Sequence, residues 1–214
     1  MARLPLVEFR NQRDPKGYRL EWECGVQPLI RRNGRVREDL KDCLPLGGEE
    51  YLEFANVKDA EGLLDFVQRY GALTWMGNSV DCGERALGFL RVAQHMREML
   101  AAVKSGPPRL SDELLEDLSF NALRIQTSLI WDPVNKRVVW QSRTSELIDS
   151  LWAQLIQAVT RGDQLRKCEY CDDWFGVGMG AGRRADAKFC SDDHRAAFNN
   201  RARRQRNTSG AAND

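Results

Sequence analysis

Four side chains near the C-terminus constrain the fold more than anything else in the chain. They are Cys168 and Cys171, spaced as Cys168-Glu169-Tyr170-Cys171, then after eighteen residues Cys190 and His194, spaced as Cys190-Ser191-Asp192-Asp193-His194. Two cysteines separated by two residues turn both thiolates toward one point from a tight knuckle, and a second pair separated by three residues suits the first turn of a helix. Ser191 is a good N-cap, and Asp192 and Asp193 favour a helix N-terminus through its dipole. Cys190 and His194 therefore fall on one side of that turn. Three thiolates and an imidazole favour zinc over magnesium or calcium, and four protein ligands leave no position for a catalytic water. One structural Zn²⁺ is expected on Cys168, Cys171, Cys190 and His194. Few apolar residues surround them beyond Leu165, Trp174, Phe175, Phe189 and Phe198. Folding is thus expected to depend on the metal, whose binding in such modules contributes roughly 10–16 kcal/mol apparent at neutral pH.

Three further cysteines, Cys24, Cys43 and Cys82, are scattered through the first hundred residues, and the sequence assigns them no role. The N-terminal apolar stretch Leu4–Val7 contains Pro5 and is closed by Glu8, so it lacks the apolar core of a secretory signal. No run approaches the roughly 20 apolar residues of a membrane span. The expectation is a cytoplasmic protein with reduced thiols and no membrane partner, in which clustered cysteines bind metal. With 42% hydrophobic and 29% charged residues, the composition is that of a globular chain.

An α+β organisation is expected: a mainly helical N-terminal domain with short hairpins over 1–162, a small treble-clef-like zinc finger over 163–206, and a disordered tail over 207–214. Asn33-Gly34 predicts a hairpin between Leu29–Arg32 and Arg35–Arg37. Ala60, Leu63, Leu64, Val67 and Tyr70 predict a helix from Asp59 that stops at Gly71, and Ala86 to Val103 carry a longer helix over about 82–104. Ser111 caps a third helix through Leu114, Leu115 and Leu118. Ser128–Trp131 and Arg137–Trp140 flank a Pro-containing turn as two strands. Leu147, Ile148, Leu151, Trp152, Leu155, Ile156 and Val159 then repeat at helical spacing, with Gly162 as the stop and the domain boundary. The tryptophans of the N-terminal part are expected in a core or a ligand pocket. His95, within the long helix, is expected to be structural or exposed rather than catalytic.

The knuckle, the glycine-rich connection (Gly176, Gly178, Gly180, Gly182), Phe189-Cys190-Ser191 and the following helix resemble a treble-clef finger. At longer range the chain resembles the bacterial family that joins an N-terminal ABATE domain, found in stress-induced transcription regulators, to a finger named for its Cys-Gly-Asn-Arg (CGNR) motif. The matches are Leu165-Arg166-Lys167-Cys168, Trp174-Phe175, Arg183-Arg184, Phe189-Cys190-Ser191 and Asn199-Asn200-Arg201-Ala202-Arg203. The family has four residues within each cysteine pair and its fourth ligand just before Gly-Asn-Arg, where this chain has Phe198. The ligand role moves one helical turn back, to His194. The resemblance implies a transcription regulator.

The overall charge of +1 conceals a basic end. From Arg183 to Arg206 eight basic residues (Arg183, Arg184, Lys188, Arg195, Arg201, Arg203, Arg204, Arg206) face three acidic ones, a net of +5. Arg195, Asn199 and Arg206 repeat along one helical stripe, and arginine binds phosphates bidentately or reads guanine edges. DNA is the expected partner, with RNA an alternative. The same helix also suits a purely solvated surface, and aromatic residues that could stack unpaired bases are missing along it beyond Phe198. The glycine loop carries no dinucleotide or P-loop fingerprint, and no catalytic signature stands out. Two other functions compete: a zinc-stapled protein-interaction module, and an enzyme with its site in the N-terminal domain. That domain is also a candidate to bind a small molecule or a protein partner.

Overall fold

Leu147, Ile148, Leu151, Trp152 and Leu155 recur on one side of a 15-residue helix, and all five are buried. The computed structural model describes residues 7–8, 12–13, 16, 18–23, 27–33, 41–42, 48–74, 84–104, 116, 126–132, 136–144, 146–178 and 181–210. The chain divides into two units, Met1–Arg161 and Gly162–Asp214. Among the described residues no helix is long and apolar enough to cross a membrane.

The first unit is α+β. In chain order it contains β1 (Val7–Glu8), β2 (Gln12–Arg13), β3 (Tyr18–Glu23), β4 (Gln27–Arg32), β5 (Lys41–Asp42), α1 (Glu50–Ala55), α2 (Ala60–Tyr70), β6 (Glu84–Arg85), α3 (Ala86–Lys104), β7 (Gln126–Asp132), β8 (Arg137–Arg143) and α4 (Leu147–Arg161). The strands form two three-stranded sheets, β3-β4-β6 and β1-β8-β7, and the pair β2-β5. All pairings are antiparallel except β1 with β8.

Helix α1 packs on α3 and α4, and α2 packs on β3 and α3. Phe54, Phe66, Met96, Leu100 and Leu151 are among the fully buried side chains. Buried polar groups in this layer are paired, as burial requires. The Gln154 carboxamide accepts from the Tyr51 amide (3.1 Å) and donates to Glu50 (3.0 Å), joining α4 to α1. Arg97 donates to the carbonyls of Ala55 and Val57, both at 2.6 Å, where α1 ends. Asp59 caps α2 by accepting from the Gly62 amide at 2.8 Å. Gly71 ends α2 with φ 91° and Gly162 follows α4 with φ 69°, conformations that residues with a Cβ rarely adopt.

Several expectations are corrected. Leu29–Arg32 is a strand, but its hairpin partner is Tyr18–Glu23, with Ile30 opposite Leu20. Ile30 pairs on its other edge with Glu84, so no edge is left there for Arg37, and Arg35–Arg37 lies outside the described residues. Asn33 ties back instead to the start of β3, accepting from Arg19 (3.0 Å) and donating to the Lys16 carbonyl (2.9 Å). Helix α3 begins at Ala86 because Glu84 and Arg85 are drawn into that sheet. In α2 the buried face includes Phe66, while Leu64 and Tyr70 lie at its margin. Trp152 is buried with the His95 ring 5.9 Å away, but Trp131 is 60% exposed, paired across β7–β8 with an equally exposed Val138. The helix expected after Ser111 lies outside the described residues apart from the helical Glu116, as do Cys24, Cys43, Cys82 and Trp75.

The second unit contains β9 (Gln164–Lys167), β10 (Trp174–Val177) and α5 (Asp192–Gly210). Helix α5 continues through Asn207–Gly210, where the sequence suggested the tail had begun.

Candidate metal centre

Strands β9 and β10 pair antiparallel, with Lys167 opposite Trp174 and Gln164 opposite Val177. The six residues between them make the knuckle. The Cys168 amide donates to the Asp173 carbonyl and the Asp172 amide to the Cys168 carbonyl, both at 2.9 Å, which closes the turn and brings Cys168 beside Cys171. Asp172 completes it with φ 61°, a left-handed conformation that aspartate tolerates better than most side chains. Asp172→Val places a β-branched residue there. It is expected to cost about 1 kcal/mol and weaken metal binding up to about tenfold in competition with a chromophoric chelator, while Asp172→Gly is tolerated.

The second half of the site comes from the start of α5. The Ser191 hydroxyl accepts from the His194 amide at 3.2 Å, and the Ser191 carbonyl accepts from the Arg195 amide at 3.2 Å. This cap sets the first turn so that Cys190 Sγ lies 2.9 Å from His194 Nδ1. The Glu169 amide donates to the Lys188 carbonyl at 3.0 Å and ties the knuckle to the segment leading into Cys190. Between the halves, the Gly178 amide donates to the Arg183 carbonyl at 2.7 Å and closes the glycine loop, whose residues 179 and 180 lie outside the described set.

Cys168, Cys171, Cys190 and His194 are thereby gathered with their ligand atoms all within 4.8 Å of one another, a cluster able to hold a metal ion. Cys171 and Cys190 have their sulfurs 3.8 Å apart, and Cys168 Sγ is 3.8 Å from His194 Nδ1. A tetrahedral ion with thiolate bonds of about 2.3 Å needs sulfur–sulfur edges of about 3.8 Å, which the Cys171–Cys190 pair matches, while Cys190 Sγ and His194 Nδ1 must part from 2.9 Å to the edge of about 3.5 Å that such an ion needs.

Burial opposes ionisation of all three thiols, but not with the same result. At Cys168 the amides of Cys171, Cys190 and Tyr170 and the His194 ring outweigh burial and bring the thiol down to about 6. Cys171 is pushed up to about 12, chiefly by burial and further by the neighbouring Cys168 and Asp173. Cys190 is also raised, by burial and by Cys168. A metal-free cluster near pH 7.5 thus keeps one thiolate and two thiols, and a divalent ion must expel about two protons to bind. Affinity is expected to rise with pH by about two log units per pH unit through neutrality, and more steeply below about 6, where Cys168 is protonated too. Calorimetry in two buffers of different ionisation enthalpy counts the protons. A count of three near pH 7.5 would show that the surrounding amides do not lower Cys168.

The apolar support is small. Cys168, Phe175 and Val177 form its buried centre, with Ala187 and Phe189 against it, and Trp174 is buried as well. Leu165 is half-buried and Phe198 stays largely at the surface.

The basic residues separate into two sets. Arg183, Arg184, Lys188 and Arg195 line one open groove of about 660 Å³, together with Phe189, Ser191, Asp186 and Asp192. Three of these cations hold exposed ion pairs: Arg184 with Asp186 (2.9 Å), Lys188 with Glu169 (3.2 Å) and Arg195 with Asp192 (3.1 Å). Arg183 lies over the Phe175 ring at 5.9 Å. Asn199, Arg201, Arg203 and Arg204 are exposed further along α5 and do not line the groove, and Arg206 belongs to the same helix. Sequence spacing did not single out Tyr170, although it stands between the two knuckle cysteines; its ring packs 5.0 Å from that of His194. No family model, curated protein or solved structure matches the chain.

Proposed function

We propose that residues 163–206 form a zinc-stapled finger of treble-clef type that binds nucleic acid, DNA first, and that the chain is a transcription regulator of ABATE and CGNR layout. Zinc suits three thiolates and one imidazole on tetrahedral edges, and four protein ligands make it structural rather than catalytic. The observation that carries the binding assignment is the groove beside the metal cluster, where Arg183, Arg184, Lys188 and Arg195 converge at the N-terminus of α5. Positive side chains and a helix N-terminus on one concavity attract phosphates. The ion pairs within the groove are exposed and worth little, so phosphate can replace their carboxylates at small cost. The motif residues Asn199, Asn200 and Arg201 lie exposed on the same helix.

Salt titration tests this directly. Four neutralised phosphates give log affinity for duplex DNA a slope of about −3.6 against log salt. Absence of binding at low salt, or binding indifferent to salt, would overturn the assignment. The same ion pairs favour a second interpretation, in which the groove takes the carboxylates of an acidic protein segment. Capture of such a peptide, with no retention of DNA at any salt, would support that partner instead.

A further inference from the structure

We infer that the finger engages unpaired nucleotides, whose bases stack on Tyr170 and Phe198 while their phosphates follow the basic groove. This rests on the nucleic-acid assignment above and names its substrate class. Tyr170 is 44% exposed and Phe198 36% exposed, so this small unit presents two rings to solvent. Each ring is backed by another: Tyr170 lies 5.0 Å from His194, and Phe198 lies 5.2 Å from Phe189. Rings held in this way are pre-oriented, and a base that settles on them immobilises little that was free.

His194 and Phe198 are four residues apart on α5, so the two tilted ring pairs share one helix stripe about one turn, roughly 6 Å, apart. Phe189, which backs Phe198, also lines the groove formed by Arg183, Arg184, Lys188 and Arg195. Aromatic stripe and cationic groove therefore adjoin. That combination serves single strands, because every unpaired base offers a π-face and stacking tolerates any sequence. A duplex keeps its base faces covered by their neighbours, and an outward ring gains nothing from them unless the duplex is unstacked. Sequence spacing hid the arrangement because Tyr170 and Phe189 reach the helix from the knuckle and the loop rather than from the helix itself.

The test uses the zinc-loaded full chain and four labelled ligands at one salt concentration: a single DNA strand, an abasic strand of the same length, the corresponding duplex, and RNA of the same sequence. The base-bearing DNA strand is expected to bind about tenfold more tightly than the abasic strand, and more tightly than the duplex. RNA binding as tight supports the inference too, since stacking ignores the sugar. Phe198→Leu keeps apolar volume over Phe189 but removes the ring. It is expected to lose about fivefold or more on the base-bearing strands and nothing on the abasic strand, with Phe198→Tyr restoring the loss. Equal affinity for base-bearing and abasic strands, or tighter binding to duplex, overturns the inference and leaves the basic groove standing. So does a Phe198→Leu chain of normal zinc content that weakens on every ligand alike. Failure of all four ligands to bind at low salt would instead remove the nucleic-acid assignment itself. The native-chain comparison needs no variant, so a misfolded substitution cannot decide the matter.

Discussion

A Cys171→Ser chain is expected to bind no zinc and to lose the pairing of β9 with β10 and the docking of α5 in the second unit, while the first unit, Met1–Arg161, keeps its own melting transition. The expected effect is large because the second unit has little else to hold it: its buried centre is Cys168, Phe175 and Val177, and Trp174 adds one aromatic. Units of this size rarely fold on apolar burial alone. Zinc binding in such modules contributes roughly 10–16 kcal/mol apparent, and because the four ligands converge only when the knuckle meets α5, that energy is also folding energy. Exchange of a thiol for a hydroxyl changes side-chain volume little, so any collapse reports the lost ligand rather than lost packing. Trp174 is the only tryptophan beyond residue 161, and a shift in its emission toward that of solvated indole reads the unfolding. Native mass spectrometry reads the metal. One zinc per chain retained in this variant would show that the ligand set is wrong.

The second large effect concerns the groove. Combined substitution of Arg183, Arg184, Lys188 and Arg195 by alanine is expected to bring the salt slope from about −3.6 to near zero, since each phosphate-contacting cation contributes about one unit. Affinity at low salt falls with it by several orders of magnitude, provided that these four cations supply most of the phosphate contacts. The metal site should be untouched, because none of the four side chains is a ligand and all are exposed. The matching control removes Arg201, Arg203 and Arg204, which lie on α5 outside the groove. Their loss is expected to weaken binding less, through the general field of the basic end rather than through direct contacts. Equal effects of the two triple or fourfold exchanges, per charge removed, would place the binding surface along the whole helix.

Local periodicity made some of the fold visible in the sequence. The spacing of Leu147 to Val159 specifies α4 because one face must be buried for its whole length, and the structure buries Leu147, Leu151 and Leu155 completely. The strands β7 and β8 were legible for the same reason, through β-branched and aromatic residues on both sides of one turn. What failed was pairing over distance. Asn33-Gly34 is a strong local turn signal, yet Ile30 lies between Leu20 and Glu84 because two remote segments offered edges. The same competition shortened the start of α3. Trp131 illustrates another limit: alternation places it on one face of β7, but nothing in its neighbours tells which face is covered.

The metal cluster was the most legible part of the site, since knuckle and helix cap are each written in a few consecutive residues, and the structure joins them. Only the convergence of the two halves needed three dimensions, through the Glu169–Lys188 backbone bond. The basic end was legible as charge but not as shape. That Arg183, Arg184, Lys188 and Arg195 share a groove, while Arg201, Arg203 and Arg204 do not line it, depends on how the loop returns to α5. Tyr170 beside His194 depends on it as well.

The link between metal and binding is best tested by titrating one labelled DNA strand against the full chain before and after removal of zinc with a chelator, across a range of salt. The zinc-loaded chain is predicted to bind with a slope of about −2.8, the single-strand value for four phosphates, and the stripped chain to lose most of its affinity because the groove has lost the helix and knuckle that shape it. Full recovery on returning one equivalent of zinc completes the expected result. Unchanged affinity and slope in the stripped chain would contradict the account, for the groove would then owe nothing to the metal.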